Sequence, residues 1–441
     1  MNYKNIFTQL ILDFQQKSFP NLYQRCYKFP EIFGKAISLI GPRRSGKTFL
    51  IYLQIKKLLS RNVPKTSLVY INFEDNRLTG ITISDLENLL TAYFELFPFQ
   101  KEHTTYLFLD EVQVVEGWEK FVRRVLDHET MIVFITGSSA KMLGTDLSTA
   151  LRGRTLPFTI MPLSLIEYAL FHKVDKSDYL SSRGQAKWGH LFNSYAIHGG
   201  YPEIVSYNDE LKRRVLNDYL DLMIYRDIFD RYTIKNHHLF KYILTFLIHN
   251  ISNRVTVNKL YKDVKSQGIS VSRDTIFQYF SYIENALLFF FIPGYSLSVR
   301  KQQVNPKKIY IIDPGFFWIY ASNLSQNKGR VLENIVFLEL YRQGFKLFYY
   351  HQKDEIDFLA IDENGVKSLF QVCIEMSDMK TRNREIGALL KGLDAFNLSE
   401  GTILTESDDE IFTADNKTIT IIPFWKWLID IKRVQQYGYV L

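Results

Sequence analysis

From Gly41 to Thr48 the chain reads GPRRSGKT: a glycine at each end of a short basic run, then a lysine and a hydroxyl. Gly41 and Gly46 permit backbone angles and close approaches that a Cβ would block. Successive N–H groups in such a loop, backed by a helix N-terminus, form an anion cradle. Lys47 would reach the β- and γ-phosphates of ATP, and Thr48 would offer its hydroxyl to Mg2+. The expected nucleotide contacts are Gly41, Pro42, Arg43, Arg44, Ser45, Gly46, Lys47, Thr48 and Phe49. Such a loop needs an acid on a second strand, and TTYLFLDEVQ supplies Asp110 and Glu111. Asp110 would hold the metal, and Glu111 would orient or deprotonate the attacking water. Paired acids at this place favour hydrolysis over transfer to a small molecule.

Two further polar clusters follow. MIVFITGSSAKML reads as an apolar strand with a polar end, where Ser138, or Thr136 two residues earlier, would sense the γ-phosphate. An N-cap for the next helix is the other reading of Ser138. LRGRTLPF sets Arg152 and Arg154 about Gly153. One of them would act as an arginine finger, in cis or from a neighbouring subunit; a solvated basic turn is the alternative.

These side chains require particular elements. KAISLI, before the loop, is apolar and β-prone, so a buried strand is expected. FLIYLQIKKLL, after it, repeats Leu50, Leu53 and Leu58 with helical spacing. Strand, glycine-rich loop and helix in that order form the context a phosphate-binding loop needs.

The 441 residues are 46% hydrophobic and 23% charged, which suits a globular protein of two to four domains. A net charge of +7 favours a polyanionic partner. Cys26 and Cys373, the two cysteines, have no metal-ligand spacing and fit a reducing compartment. The first twenty residues lack the marks of a signal peptide, and ALLFFFIPGY is too short to span a bilayer. A cytoplasmic protein without membrane attachment is expected.

The chain resembles a prokaryotic P-loop ATPase family with an AAA+-like core and a C-terminal module of unknown function. GPRRSGKT, VYINFEDNRL, LFLDEVQ, WEKFVRRV, FITGSSAKML, LRGRTLPFTIMPLSLIEY and AIHGGYPE carry the resemblance, followed by IYRDIFDRY, KIYIIDPGF and LENIVFLELYRQG. GGYPE is similar to the Gly-x-Pro motif of signal-transduction ATPases, which implies that Pro202 closes the nucleotide site from a lid; a plain turn is the alternative. Glu74 and Asp75 would approach the nucleotide or pair with Arg43 or Arg44.

Farther on, RVTVNKLYKDVKSQG and the segment after it look like a winged helix-turn-helix. The first helix would end at Gly268, and Ser272 would cap a second one with Ile276, Phe280, Ile283 and Leu287 as its core stripe. Arg273, Gln278, Ser281 and Tyr282 would lie on its other face, before a β-like return ending in VRKQQVNPKK. Arg254, Lys259, Lys262, Lys265, Arg273, Arg300, Lys301, Lys307 and Lys308 would suit DNA phosphates without reading sequence. Packing or protein contact is the other use of such a module.

The last part, in the order helix, three strands, helix, resembles the PD-(D/E)xK nuclease fold. Glu333 and Asp357 match its first two acids, but Gln371-Val372-Cys373 stands where Glu-x-Lys belongs. A neutral thiol cannot replace the lysine cation, so a degenerate centre is expected unless Lys367 or Lys380 has moved in. Trp425 and Trp427 are read as core or interface anchors.

The expected fold is α/β: an AAA+-like P-loop core with a parallel sheet (1–165), a helical lid (166–232), a winged helix (233–310) and a nuclease-like α/β domain (311–441). The expected function is Mg2+-dependent ATP hydrolysis coupled to conformational change on DNA, with self-association or a protein partner also open. The alternatives are an ATP switch or scaffold of the signal-transduction kind and an ATP-gated DNA nuclease.

Overall fold

The computed structural model describes residues 2–137, 149–175, 179–320 and 327–430. The chain divides into two compact units, 1–161 and 162–441.

The first unit is built on a five-stranded parallel sheet in the order β2-β3-β4-β1-β5. The strands are β1 (Ala36–Ile40), β2 (Leu68–Asn72), β3 (Thr105–Asp110), β4 (Met131–Gly137) and β5 (Thr155–Thr159). Every residue of β1, β3 and β4 is buried, as expected of inner parallel strands covered by helices on both faces. Helix Tyr3–Gln16 buries Phe7, Leu10, Ile11 and Phe14, an i, i+3, i+4, i+7 stripe. Helix Trp118–His128 does the same with Trp118, Phe121, Val122, Val125 and Leu126. Helix Lys47–Ser60 buries more than the leucine stripe anticipates: Ile51, Tyr52 and Ile55 join Leu50 and Leu58, while Leu53 is half-buried. Because all five strands run the same way, the loops leaving β1, β3 and β4 emerge at one edge of the sheet, where an open α/β sheet holds its ligand.

The second unit begins with helices Leu165–Phe171, Ser182–His198, Asp209–Leu222 and His237–His249. Ser164 and Glu167 form a reciprocal cap on the first of these. Helices Val257–Ser266 and Arg273–Asn285 lie between the first and second strands of a three-stranded antiparallel sheet, β6-β8-β7. Its strands are β6 (Arg254–Val255), β7 (Phe289–Pro293) and β8 (Lys307–Ile311). Gly268 has a left-handed φ of 77° just past the first helix, and Ser272 accepts from Thr275 N to cap the second, as expected. The core stripe differs: Ile276, Tyr279 and Ile283 are buried, while Phe280 is half-buried and stacks on Phe291. The basic return is not all extended, because Val299–Val304 is a short helix capped by Ser298. The expected boundary at residue 310 falls inside β8.

Helix Lys328–Arg342 is buried along nearly its whole length. After it comes a six-stranded mixed sheet, β13-β14-β12-β11-β10-β9. The strands are β9 (Lys346–His351), β10 (Glu355–Ile361), β11 (Lys367–Val372), β12 (Glu400–Thr405), β13 (Glu410–Ala414) and β14 (Lys417–Pro423). Helix Met379–Phe396 packs on it, and helix Phe424–Asp430 follows β14. Trp425 is buried, and Trp427 meets Phe370 edge-on, so both anchor the interior. No helix among the described residues is long and apolar enough to cross a membrane.

Candidate functional site

The loop after β1 wraps tightly against the end of β5. A Cβ added to Gly41 would lie 2.0 Å from the Ile160 carbonyl oxygen, so the backbones approach more closely than any other residue allows. Gly46 takes a φ of 96° as the N-cap of helix Lys47–Ser60, a left-handed conformation that favours glycine. Lys47 is only 5% exposed, and its ammonium donates to the carbonyls of Gly41 and Pro42, 3.1 Å each. Glu111 Oε1 lies 3.7 Å from the same ammonium.

β3 ends with Asp110, which is fully buried, and Glu111, whose φ of 53° turns its side chain off the strand. Asp110 Oδ2 accepts from the hydroxyls of Thr48 and Tyr70, 2.8 Å each. Thr136, from β4, donates to Asp110 Oδ1, and its oxygen accepts from Glu111 N at 2.9 Å. One threonine therefore sets both acids. Gln113 Nε2 donates to Glu111 Oε2 and completes its positioning. Burial pushes the Asp110 carboxyl up from its ordinary value, against the hydroxyls of Thr136, Thr48 and Tyr70; the neighbouring Glu111 adds to the rise. The Tyr70 phenol is pushed up as well, by burial and by Asp110, and stays a donor.

The residues fit a nucleotide with Mg2+. A lysine held by neutral carbonyls can turn to a phosphate without breaking a strong ion pair. The hydroxyl of Thr48 and the carboxylate of Asp110 form an all-oxygen donor set, which a hard divalent cation prefers.

The other expected site residues are distributed as follows. Pro42 and Ser45 are buried, and the Ser45 carbonyl accepts from Arg25 Nη1 at 3.0 Å. The same guanidinium donates to Met161 O at 2.8 Å, so Arg25 straps the loop to the chain beyond β5. Arg43 pairs with Glu74 at 3.4 Å, one of the pairings anticipated; Asp75 instead caps its own turn and binds Arg77. Arg44 has a φ of 65°, and Phe49 is half-exposed. Arg152 is exposed in a turn with a φ of 51°, and Arg154 pairs with Asp127. Ser138 lies outside the described residues. Pro202 belongs to the second unit, where it opens the turn Pro202–Ile204 beside the buried Tyr201.

Sequence reasoning missed Tyr70, Gln113 and Arg25. A lone hydroxyl-bearing residue in a buried apolar strand was the available signal for Tyr70.

The nuclease-like acids also find partners that were not anticipated. Lys308 of β8, 1% exposed, places its ammonium 3.0 Å from Glu333 and 2.8 Å from each of Glu355 and Asp357. Neither lysine considered for migration is the one present. Lys367 lies over the rings of Tyr295 and Phe396, and Lys380 is exposed at the start of its helix. Lys308 also leaves the set of residues offered to DNA phosphates, and Arg254 pairs with Glu355 at 3.2 Å.

A 2-3-4-1-5 parallel sheet, a GPRRSGKT loop after its β1 and an acid pair after its β3 define a P-loop domain of the AAA kind. Residues 34–169 match the AAA domain, and residues 189–328 match a domain of unknown function, DUF8612. The chain belongs to the same family as the uncharacterized protein MJ1544 of Methanocaldococcus jannaschii, with 36% identity over 440 residues, 96% of this chain and 95% of the relative. An uncharacterized protein of Haemophilus influenzae is 30% identical over 342 residues, 77% of this chain and 82% of that one. Among solved structures, the Aeropyrum pernix ORC1 protein in complex with DNA has a TM-score of 0.29 at 13% identity, covering 77% of this chain and 93% of that one. Cdc6p of Pyrobaculum aerophilum has a TM-score of 0.26 at 12% identity, covering 76% and 94%. Likenesses this distant say nothing of what the present chain does.

Proposed function

We propose that the protein is an ATPase that uses ATP binding and hydrolysis to change conformation, with duplex DNA as its effector. The observation that carries the reading is the Thr136 hydroxyl bonded to both Asp110 and Glu111, with Lys47 and Thr48 facing them. Mg2+, when bound, would neutralise charge on the β- and γ-phosphates. Lys47 leaves the Gly41 and Pro42 carbonyls to bind the phosphates, and the loop amides cradle them. Thr48 and Asp110 would hold the metal. Glu111, oriented by Gln113 and Thr136, aligns the attacking water and receives its proton. Arg152 is the better placed of the two arginines to act on a γ-phosphate from a neighbouring subunit, since Arg154 pairs with Asp127. The phosphate-sensor role of Ser138 and the lid role of Pro202 rest on the sequence alone.

The DNA-facing part is the helix pair Val257–Ser266 and Arg273–Asn285, read as a winged helix between a helical lid and the nuclease-like domain. Lys259, Lys262, Lys265, Arg273, Arg300 and Lys301 are exposed there, which suits phosphate contact without base reading. Phosphate release by the purified protein tests the first part: Lys47→Ala should lower it about 10²–10³-fold, as loss of a charge-stabilising donor does. Unchanged release would remove the ATPase reading. Duplex DNA should raise the rate in a salt-dependent way. A rate indifferent to DNA would favour a switch acting through protein contacts.

A further inference from the structure

Glu355 and Asp357 are two residues apart on β10 and so share one face of the sheet. Glu333 reaches the same point from helix Lys328–Arg342. Three carboxylates converging from two elements is the arrangement with which a phosphodiester-cleaving centre grips a divalent metal. Here a cation is already present and belongs to the chain. The Lys308 ammonium donates to Glu333 Oε1 at 3.0 Å and to Asp357 Oδ1 at 2.8 Å, and Glu355 Oε1 stands 2.8 Å from it as an ion pair. With three acids within 3.0 Å and 1% exposure, the ammonium has no open side for a scissile phosphate, so Lys308 is not a relocated catalytic lysine.

Further bonds fix the acids in place. Asp357 Oδ2 accepts from Val372 N at 2.9 Å, and Glu333 Oε1 also accepts from the Tyr310 hydroxyl at 2.7 Å. Gln371, at the third acid's place, accepts from Asp357 N and donates to Glu385. Cys373 donates to the Glu375 carbonyl, and burial pushes its thiol up to about 11. Burial works against the charge of Lys308, and three acids within 3.0 Å offset that cost. A charged lysine only 1% exposed persists on such terms alone.

We propose that Lys308 is a built-in counter-ion occupying the place of a divalent metal, so that the nuclease-like centre is closed, and that removing its ammonium opens a divalent-cation site on Glu333, Glu355 and Asp357. The inference deepens the reading of residues 311–441 as a degenerate nuclease fold, and it is independent of the ATPase.

The test uses Mn2+ alone, followed by electron paramagnetic resonance of the free ion, on the full chain carrying Lys47→Ala and without nucleotide. Lys308→Ala should bind one more Mn2+ per chain than this parent, at least tenfold more tightly than any ion the parent takes there. Adding Asp357→Asn should abolish the gain. Folded Lys308→Ala that binds no more Mn2+ than the parent overturns the proposal. If Lys308→Ala does not fold, the parent decides: Mn2+ binding lost on Asp357→Asn overturns the proposal, and indifference to Asp357→Asn supports it. Cleavage of supercoiled DNA by the unmodified chain with Mn2+, lost on Asp357→Asn, would also overturn it. No such cleavage is expected. If the centre takes Mn2+ after Lys308 is removed yet cuts no DNA, the cation site stands and only the nuclease ancestry of the fold is left without support.

Discussion

Lys47 and Lys308 are both buried, and they keep different company. Lys47 donates to two neutral carbonyls and stands 3.7 Å from one carboxylate. Lys308 is gripped by three carboxylates at 2.8–3.0 Å. Neutral acceptors leave a charge ready to be redirected when an anion arrives. Anionic acceptors in a dry interior hold it, because separating them strands several charges away from water. The same side chain is thus free to be redirected in the first unit and fixed in the second. What decides is whether its partners carry charge, since depth alone is similar.

The sharpest way to break this comparison is Lys308→Met, which leaves three carboxylates facing one another. It should lower unfolding stability by about 3–5 kcal/mol, read from the denaturant midpoint of the second unit. Lys47→Met without nucleotide should shift the first unit's midpoint far less, because the two carbonyls it frees have weaker claims. Equal shifts would erase the distinction.

Next in size is Glu111→Gln. It should reduce ATP hydrolysis about 10²-fold while ATP binding stays within a few-fold, since general-base assistance acts on the chemical step. Parallel losses of binding and rate would instead make Glu111 a partner that places Lys47.

A third test extends the comparison to a carboxyl that has no lysine. Asp313 is 1% exposed and accepts from Gly200 N and Gly315 N at 2.7 and 2.9 Å. Arg342, Tyr195 and Tyr201 are the titratable groups acting on it or feeling its charge. Burial raises its pKa from 3.8 to about 7, against those two N–H groups and Arg342. The folded state therefore holds this proton more tightly than the unfolded one. Stability from this group is greatest below pH 4, declines as pH rises from about 4 to 7, and then levels off. Between pH 5 and 7 the fall should be about 2 kcal/mol, and it should be shallower in Asp313→Asn. The slope is the readout, because the Asn amide also costs a backbone hydrogen bond at every pH. Identical slopes would mean that Asp313 titrates normally.

The smallest expected effect is that of Tyr70→Phe, which removes one of three hydroxyls bound to Asp110. A loss of about 1 kcal/mol, roughly fivefold in hydrolysis rate, should come with a need for more Mg2+. Normal Mg2+ dependence would leave Tyr70 as packing alone.

These two lysines also mark what was legible in the chain. The phosphate loop could be read because its chemistry is local: eight consecutive residues make the cradle, and the strand and helix beside them have plain apolar patterns. Asp110 and Glu111 stand out for the same reason, at the end of an apolar strand. The Lys308 cage draws on residues 308, 333, 355 and 357 from three elements, and no short spacing links them. Glu333 and Asp357 were found by a motif; Glu355 and Lys308 lay outside it. Tyr70 and Arg25 were hidden likewise, since each bonds to a residue distant in the chain, Asp110 and Ser45. The helix pair at 257–285 was visible through its cap and its Gly268 stop, but the register of its core face shifted toward Tyr279 once β7 offered Phe291 to Phe280.

The bond from Gly200 to Asp313 has a consequence for how this chain is made. The two residues are 113 positions apart. While the chain is being synthesised, helix Ser182–His198 and the turn after it emerge long before their carboxylate partner exists. That turn stays unfinished, its buried N–H unanswered, until β8 and Asp313 have followed. Fragments ending anywhere between 200 and 312 lack the carboxylate that closes this turn, however natural a cut the helix ends suggest.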